Sequence, residues 1–286
     1  MALKQNTWTL NQWYDQDVAG NVDYSAMDPF GLYMWGKNTE GVLGQNQAPA
    51  QAARHTSPML IPGNTWYTSS IGRGNFTTAV KSDGSMWTWG SNGDGQLGQN
   101  SGVKYSSPVQ VPGTTWKKVG CGENHVIATK NDGTLWVWGK NSDGQLGQNN
   151  TTTYSSPIQV GSDTTWDKPY ANGDCVSVIK TDGTLWAWGK SDYGQAGQNN
   201  QVYYSSPIQV GSDTTWNEVG DSSKGLVMTK TDGTLWAIGN NEDGGLGQND
   251  TAHRSSPVQI GTSTDWSLKE NAITQSVLNF VLAVKT

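Results

Sequence analysis

Charge is scarce in this chain. Only 15% of its 286 residues are Asp, Glu, Lys or Arg, and the net charge is −6. Arginine occurs only as Arg54, Arg73 and Arg254. Binding driven by phosphate neutralisation needs a basic face, so no nucleic-acid partner is expected. Histidine is confined to His55, His125 and His253. No HExxH, GxSxG or phosphate-loop pattern accompanies them, so the chain reads as a non-enzyme with no catalytic residue and no cofactor. Cys121 and Cys175 stand at unmatched places and form no CxxC pair, so they read as free buried thiols. Long apolar runs are missing as well. Nothing approaches the 18 or so apolar residues of a membrane span, and the first twenty residues hold no signal-peptide core.

Phenylalanine is rare too, at 3 residues against 15 Trp and 10 Tyr, and only 34% of the chain is hydrophobic. Tryptophan must therefore carry much of the core. The rest is rich in Gly, Ser, Thr, Asn and Gln, the composition of a turn-rich β protein.

The tryptophans are periodic. A W-x-W-G motif, or a near variant, closes at Gly36, Gly90, Gly139, Gly189 and Gly239. A Ser-Pro strand signal recurs at Pro58, Pro108, Pro157, Pro207 and Pro257, and a further tryptophan at Trp66, Trp116, Trp166, Trp216 and Trp266. The repeat is about 50 residues long. One unit, residues 166–215, contains four short strands. The second and third are joined by an Asp-Gly turn whose residues readily take positive φ. Trp186 and Trp188 are two apart and share a face, while Leu185 and Ala187 line the other. A strand apolar on both faces belongs between packed sheets. Four-stranded sheets stacked around an axis, the blades of an all-β β-propeller, meet that need. The indoles are expected between blades as structural core: Tyr33, Trp35, Trp87, Trp89, Trp136, Trp138, Trp186, Trp188 and Trp236.

The segment "GCGENHVIATKNDGTLWVWGKNSDGQLGQN", Gly120–Asn149, resembles the regulator of chromosome condensation repeat family nearly throughout. Other copies drift: GVLG at Gly41–Gly44, GQAG at Gly194–Gly197, GGLG at Gly244–Gly247. The family's histidine survives only as His125, with Phe76, Cys175 and Gly225 near the matching positions. The resemblance covers residues 30–286. It implies a propeller, usually of seven blades, and the founder's regulation of a small GTPase. This chain is too short for seven blades. Five are expected: the last strand, near Val281–Lys285, pairs with Leu32–Trp35 and closes the ring. Beginning the first blade at Trp8 instead gives six, one of them incomplete. In the five-bladed reading residues 1–29 form an arm outside the ring, and 30–286 the propeller.

Three sets of side chains recur at equivalent places. Asp83, Asp132, Asp182 and Asp232 read as turn formers. Asp94, Asp143 and Asp243 are spread around the ring, too dispersed for the converging oxygens that calcium needs, so no metal is expected. The candidate binding residues precede the Ser-Pro strands: His55, Tyr105, Tyr154, Tyr204 and Arg254 form a rim of flat or hydrogen-bonding groups. They suit a protein partner or a surface glycan, or else each covers its own blade edge. His125 reads as a hydrogen-bonded structural side chain. The functional expectation is a structural or binding propeller in a larger assembly such as a phage virion (tail, fibre or capsid decoration), placed on the particle surface. Residues 1–29 would dock it to other subunits. The alternative is a soluble, cytoplasmic, lectin-like or protein-binding propeller.

Overall fold

Asp-Gly turns, each followed two residues later by a tryptophan strand, set the local pattern. In the Lys180–Thr184 turn only the glycine takes a left-handed conformation, with Gly183 at φ +78°. Lys180 and Thr184 close the turn by a backbone bond of 3.0 Å. The expectation that the aspartate shares the positive φ is corrected. Asp182 instead turns its carboxylate onto Thr184, accepting the backbone N–H at 2.9 Å and the hydroxyl at 2.7 Å. Such a turn is a type I turn completed by a left-handed glycine. A Cβ on Gly183 would lie 2.0 Å from the Thr214 carbonyl oxygen, so glycine is required sterically as well.

The structure, a computed structural model, describes residues 31–47, 54–63, 65–222, 224–268 and 284–285. Four antiparallel four-stranded sheets follow one another: blade I (66–111), blade II (116–159), blade III (166–209) and blade IV (216–259). In blade III the strands are Trp166–Asn172, Cys175–Lys180, Leu185–Gly189 and Tyr204–Gln209, paired in chain order. The glycine that ends the tryptophan strand kinks the ladder. Gly189 has φ +90° and pairs with Tyr204 across a register shift, a bulge that swings the chain into its loop.

Two further strand pairs flank these blades. Tyr33–Lys37 pairs with Arg54–Leu60, and Trp266–Ser267 with Val284–Lys285. The Trp266↔Lys285 register repeats Trp166↔Lys180 and Trp216↔Lys230. Together the two pairs hold the four strands of a fifth blade. Among the described residues they are separate two-stranded sheets. The expected ladder between Leu32–Trp35 and Val281–Lys285 is not among the described pairings, and residues 281–283, like Trp8 and the 1–29 arm, lie outside the described residues.

The core is a set of clusters between blades. One side of blade III presents Trp166, Val176, Val178 and Trp188 to Ile127, Leu135, Val137 and Leu146 of blade II. Equivalent clusters join blades I and II and blades III and IV. Two more join blade I to Met34, Leu43 and Ile61, and blade IV to Trp266 and Leu268. Trp89, Trp138 and Trp188 are fully buried. Each indole N–H donates to a loop carbonyl of the preceding blade: Val42 at 2.7 Å, Gln96 at 2.9 Å and Gln145 at 2.9 Å. A side chain of this size contributes at most about 4–6 kcal/mol of burial. Blade IV carries Ile238 at the matching position and forgoes that bond.

Trp186 and Trp188 do share a face, with ring centroids 5.9 Å and 6.2 Å from that of Trp166. The first tryptophan of each pair (Trp87, Trp136, Trp186, Trp236) is half-buried rather than sealed. Tyr33 and Trp35 depart from the core expectation, at 53% and 50% exposed. Their strand has a described partner on only one edge, Arg54–Leu60.

Candidate functional site

The residues shared by every blade are spent on holding the blade. At each Asp-Gly turn a hydroxyl links aspartate to tryptophan: Thr184 donates to Asp182 at 2.7 Å and accepts from Trp186 Nε1 at 3.0 Å. Ser85, Thr134 and Thr234 do the same for Trp87, Trp136 and Trp236. The Ser85 hydroxyl and backbone N–H hold the Asp83 carboxyl below its ordinary value, and the other three turn aspartates are lowered the same way.

A lysine ends each second strand and lies between two indoles. Lys230 Nζ is 4.8 Å from the Trp216 ring centre and 3.8 Å from that of Trp236. Lys81, Lys130 and Lys180 repeat the arrangement. In blades III and IV an aspartate completes the clamp, with Lys180–Asp163 at 2.7 Å and Lys230–Asp213 at 2.5 Å. The bond from Lys230, then that from Thr215, holds Asp213 down to about 2. Blades I and II carry Gly63 and Gly113 in place of that aspartate. Sequence reading missed the clamp. Its trace was a lysine before every turn, at the spacing of the tryptophans.

The first strands of neighbouring blades approach one another around the axis and are tied by unlike groups. Lys117 Nζ reaches Asp167 at 3.0 Å, Lys168 Nζ reaches the Asn217 carbonyl at 2.5 Å, and Leu268 N–H donates to Glu218 at 2.7 Å. Neither a shared chemistry nor a converging charge results.

The five rim residues are structurally equivalent. His55, Tyr105, Tyr154, Tyr204 and Arg254 stand at or next to the start of an outer strand and pair with Gly36, Gly90, Gly139, Gly189 and Gly239. Four are tethered within their own loops: His55 to Gln47 at 3.0 Å, Tyr154 to Asn150 at 3.4 Å, Tyr204 to Asn200 at 3.1 Å and Arg254 to Asp250 at 2.6 Å. The three tyrosines are half-buried against the interblade clusters. Each thus covers a blade edge, and the structure does not gather them into one pocket.

Their neighbours do better. A rim cleft of about 360 Å³ between blades III and IV is lined by Tyr193, Asn199, Asn200, Gln201, His253 and Ser255. Tyr193 meets His253 edge-on, with ring centres 4.9 Å apart. Lys224 Nζ donates to the Tyr193 hydroxyl at 3.3 Å. His253 Nδ1 accepts the Asn241 N–H at 3.1 Å, which leaves the proton of the neutral ring on Nε2 as a donor. Nothing in the repeat pattern pointed here except departure from it: Asp94, Asp143 and Asp243 occupy the place of Tyr193 in other copies.

His125 is fully buried at the position equivalent to Phe76, Cys175 and Gly225, each opposite a blade glycine. The expected hydrogen bonding is corrected: among the described residues neither ring nitrogen has a partner. Burial first, opposed by the nearby Asp174 carboxylate, pushes its pKa down to about 4 and keeps it neutral. Cys121 and Cys175 are free and buried. Burial raises their thiols to about 11 and about 12. Among the described residues no group of three His, Cys, Asp or Glu side chains is placed to hold a metal ion, and no helix is long and apolar enough to cross a membrane.

Comparison with known proteins agrees with this architecture. The "Regulator of chromosome condensation (RCC1) repeat" family model matches residues 83–129, 132–167, 182–219 and 232–274, more than half of the chain. The mitochondrial RCC1 domain-containing protein RUG3 of Arabidopsis thaliana is 30% identical over 105 residues, 34% of this chain and 23% of that protein. The ultraviolet-B receptor UVR8 of the same plant is 32% identical over 111 residues, 38% of this chain and 24% of the receptor. The matched part is thus about a quarter or less of each relative. Among solved structures, human WBSCR16 superposes with a TM-score of 0.72 at 17% identity, over 81% of this chain and 63% of that one. Yeast RCC1 (Prp20) in its Kap60 complex gives 0.71 at 18%, over 94% and 65%. Those structural likenesses speak for the fold alone. The family match, the repeated Asp-Gly-Thr-Leu-Trp turns and the interblade tryptophans together place this chain in the regulator of chromosome condensation (RCC1) repeat family.

Proposed function

We propose that the chain is a non-enzymatic propeller that binds a protein partner and works as a component of a larger assembly. The observation that carries this reading is a division of labour within the repeat. Residues common to all blades are consumed in turns, clamps and interblade packing. Residues that differ between blades include the matching inner-strand positions Tyr67 and Lys117, both exposed, and Asp167 and Asn217, both half-buried. Varied side chains on a rigid frame suit recognition better than a shared reaction. Yeast Prp20p offers a parallel: the titles of its structures describe binding to Gsp1p and histones and a complex with Kap60.

For this chain the assembly we propose is a particle such as a phage virion. The propeller would be displayed on the particle surface, with residues 1–29 as the docking arm. A net charge of −6 and a surface rich in neutral amides and hydroxyls favour an exposed, soluble role. Deleting residues 1–29 should abolish incorporation into the particle while leaving the circular dichroism and tryptophan emission of the propeller intact. Undiminished incorporation of the shortened chain would refute the docking arm. A second reading, a lectin-like propeller, is favoured by the rim cleft.

A further inference from the structure

The place where Tyr193 meets His253 recurs at other blade seams, and its contents can be compared. Between the Tyr33–Leu60 strand pair and blade I it holds Glu40 and Lys104, closed by an ion pair of 2.6 Å. The next two seams carry Asp94 with Thr153, and Asp143 with Tyr203. At the seam of blades III and IV both members are aromatic, and there the cleft opens. The fold does not require this pair, since its siblings hold the same blades together without it.

The floor of the cleft is one that the other seams share. Asn199 has left-handed backbone, φ +57°, and its N–H donates to the Ser255 carbonyl at 2.8 Å, locking the floor to the next blade. Lys224 Nζ lies 5.3 Å from the Tyr193 ring centre, and the Tyr193 and His253 rings meet at 73° with centres 4.9 Å apart. Asn200 is fixed by the Tyr204 hydroxyl at 3.1 Å and by the Val202 N–H at 3.0 Å. Gln201 and His253, both exposed, line the cleft with donors to offer.

Nearby charges are already engaged. Lys224 is on the tyrosine hydroxyl, Asp192 pairs with Lys190 at 3.2 Å and with the Tyr203 hydroxyl, and Arg254 pairs with Asp250 at 2.6 Å. Of these, Lys224 is bonded to a neutral hydroxyl and keeps donors for an anion, whereas the other charges are taken up in ion pairs. What remains is a ring face beside amides and a hydroxyl. That set complements a molecule with an apolar C–H face and a rim of vicinal hydroxyls. About 360 Å³ is at the small end of ligand clefts, enough for one or two sugar rings.

We propose that the cleft of Tyr193, Asn199, Gln201, His253 and Ser255 between blades III and IV is a binding site for a neutral pyranose. Tyr193 stacks on the sugar face, and the amides, Ser255 and His253 Nε2 read its hydroxyls. The site does not rest on the protein-binding reading, which could fail without touching it.

The test is titration of the full chain with the methyl glycosides of glucose, galactose, mannose and N-acetylglucosamine, followed by saturation-transfer NMR. At least one should bind with a dissociation constant near 1 mM, about −4 kcal/mol. Tyr193→Ala should weaken it at least about tenfold, and Gln201→Ala, at an exposed residue where folding is not at stake, several-fold. Tyr105→Ala, on another blade, should leave it unchanged. The proposal is overturned if none of the four glycosides binds, if binding survives both Tyr193→Ala and Gln201→Ala, or if only charged sugars bind.

Discussion

Replacing one lysine in each of two blades separates what the indoles contribute from what the aspartate adds. Lys130 sits between Trp116 and Trp136 at 4.7 Å and 3.9 Å, and Lys230 between Trp216 and Trp236 at 4.8 Å and 3.8 Å. The ring geometry is nearly the same. Only Lys230 has a carboxylate, Asp213, at 2.5 Å. Burial holds Lys130 below the ordinary lysine value, against the attraction of Asp132, so its ammonium carries a desolvation penalty that opposes the ring attraction. Attraction to the rings is about 0.5–2 kcal/mol. With methionine keeping the apolar stem, Lys130→Met should cost about 0–1 kcal/mol.

Asp213 is held at about 2 against an ordinary value of 3.8, which at face value is about 2.5 kcal/mol. Thr215 supplies part of that, and the carboxylate is 34% exposed, so screening leaves about 1 kcal/mol for the lysine. Lys230→Met should therefore cost about 1 kcal/mol more than Lys130→Met. A lowered carboxyl stabilises the fold fully above its unfolded value and loses that contribution as pH falls towards the folded one. The excess cost of Lys230→Met should thus be constant from pH 7 to about 4 and fall to about half only at about pH 2–2.5, where the folded carboxyl takes up its proton. Urea denaturation followed by indole emission measures both. Equal costs for the two substitutions at pH 7, or an excess that does not move with pH, would refute the clamp as an ion pair built on indoles.

Other outcomes follow from single contacts. Thr184→Val keeps the shape but removes the link between Asp182 and Trp186, and should cost about 1–2 kcal/mol by urea denaturation. Trp188→Ala should cost about 3–5 kcal/mol, more than the same change at half-buried Trp186, because it empties a sealed interblade space. Native protein at pH 8 should leave Cys121 and Cys175 unmodified by a thiol-specific disulfide reagent, and denaturant should expose both, since burial raises both thiols above the ordinary value. Ring closure predicts that the amides of residues 32–35 exchange hydrogen as slowly as those of Leu185–Gly189. Fast exchange there would show that the ends do not pair.

Much of this protein is written within short stretches of chain. The recurrence of Trp, Asp-Gly and Ser-Pro revealed strand order, turn positions and the repeat, and the two-residue spacing of Trp186 and Trp188 placed both indoles on one face. These features are local: strand alternation and turn chemistry act over a few residues, and repetition amplifies them. Equivalence of the rim residues was legible for the same reason, because register follows from the repeat.

Tertiary structure decided who meets whom. Lys180 finds Asp163 and two indoles, Trp188 finds the Gln145 carbonyl of another blade, and Tyr193 finds His253 across a seam. It also left His125 without a polar partner among the described residues, and Tyr33 and Trp35 half-exposed. Such pairings depend on how neighbouring blades are stacked and turned, which no local period encodes. A repeat displays what its copies share, whereas a binding cleft is made where two copies differ and the ring brings those differences together.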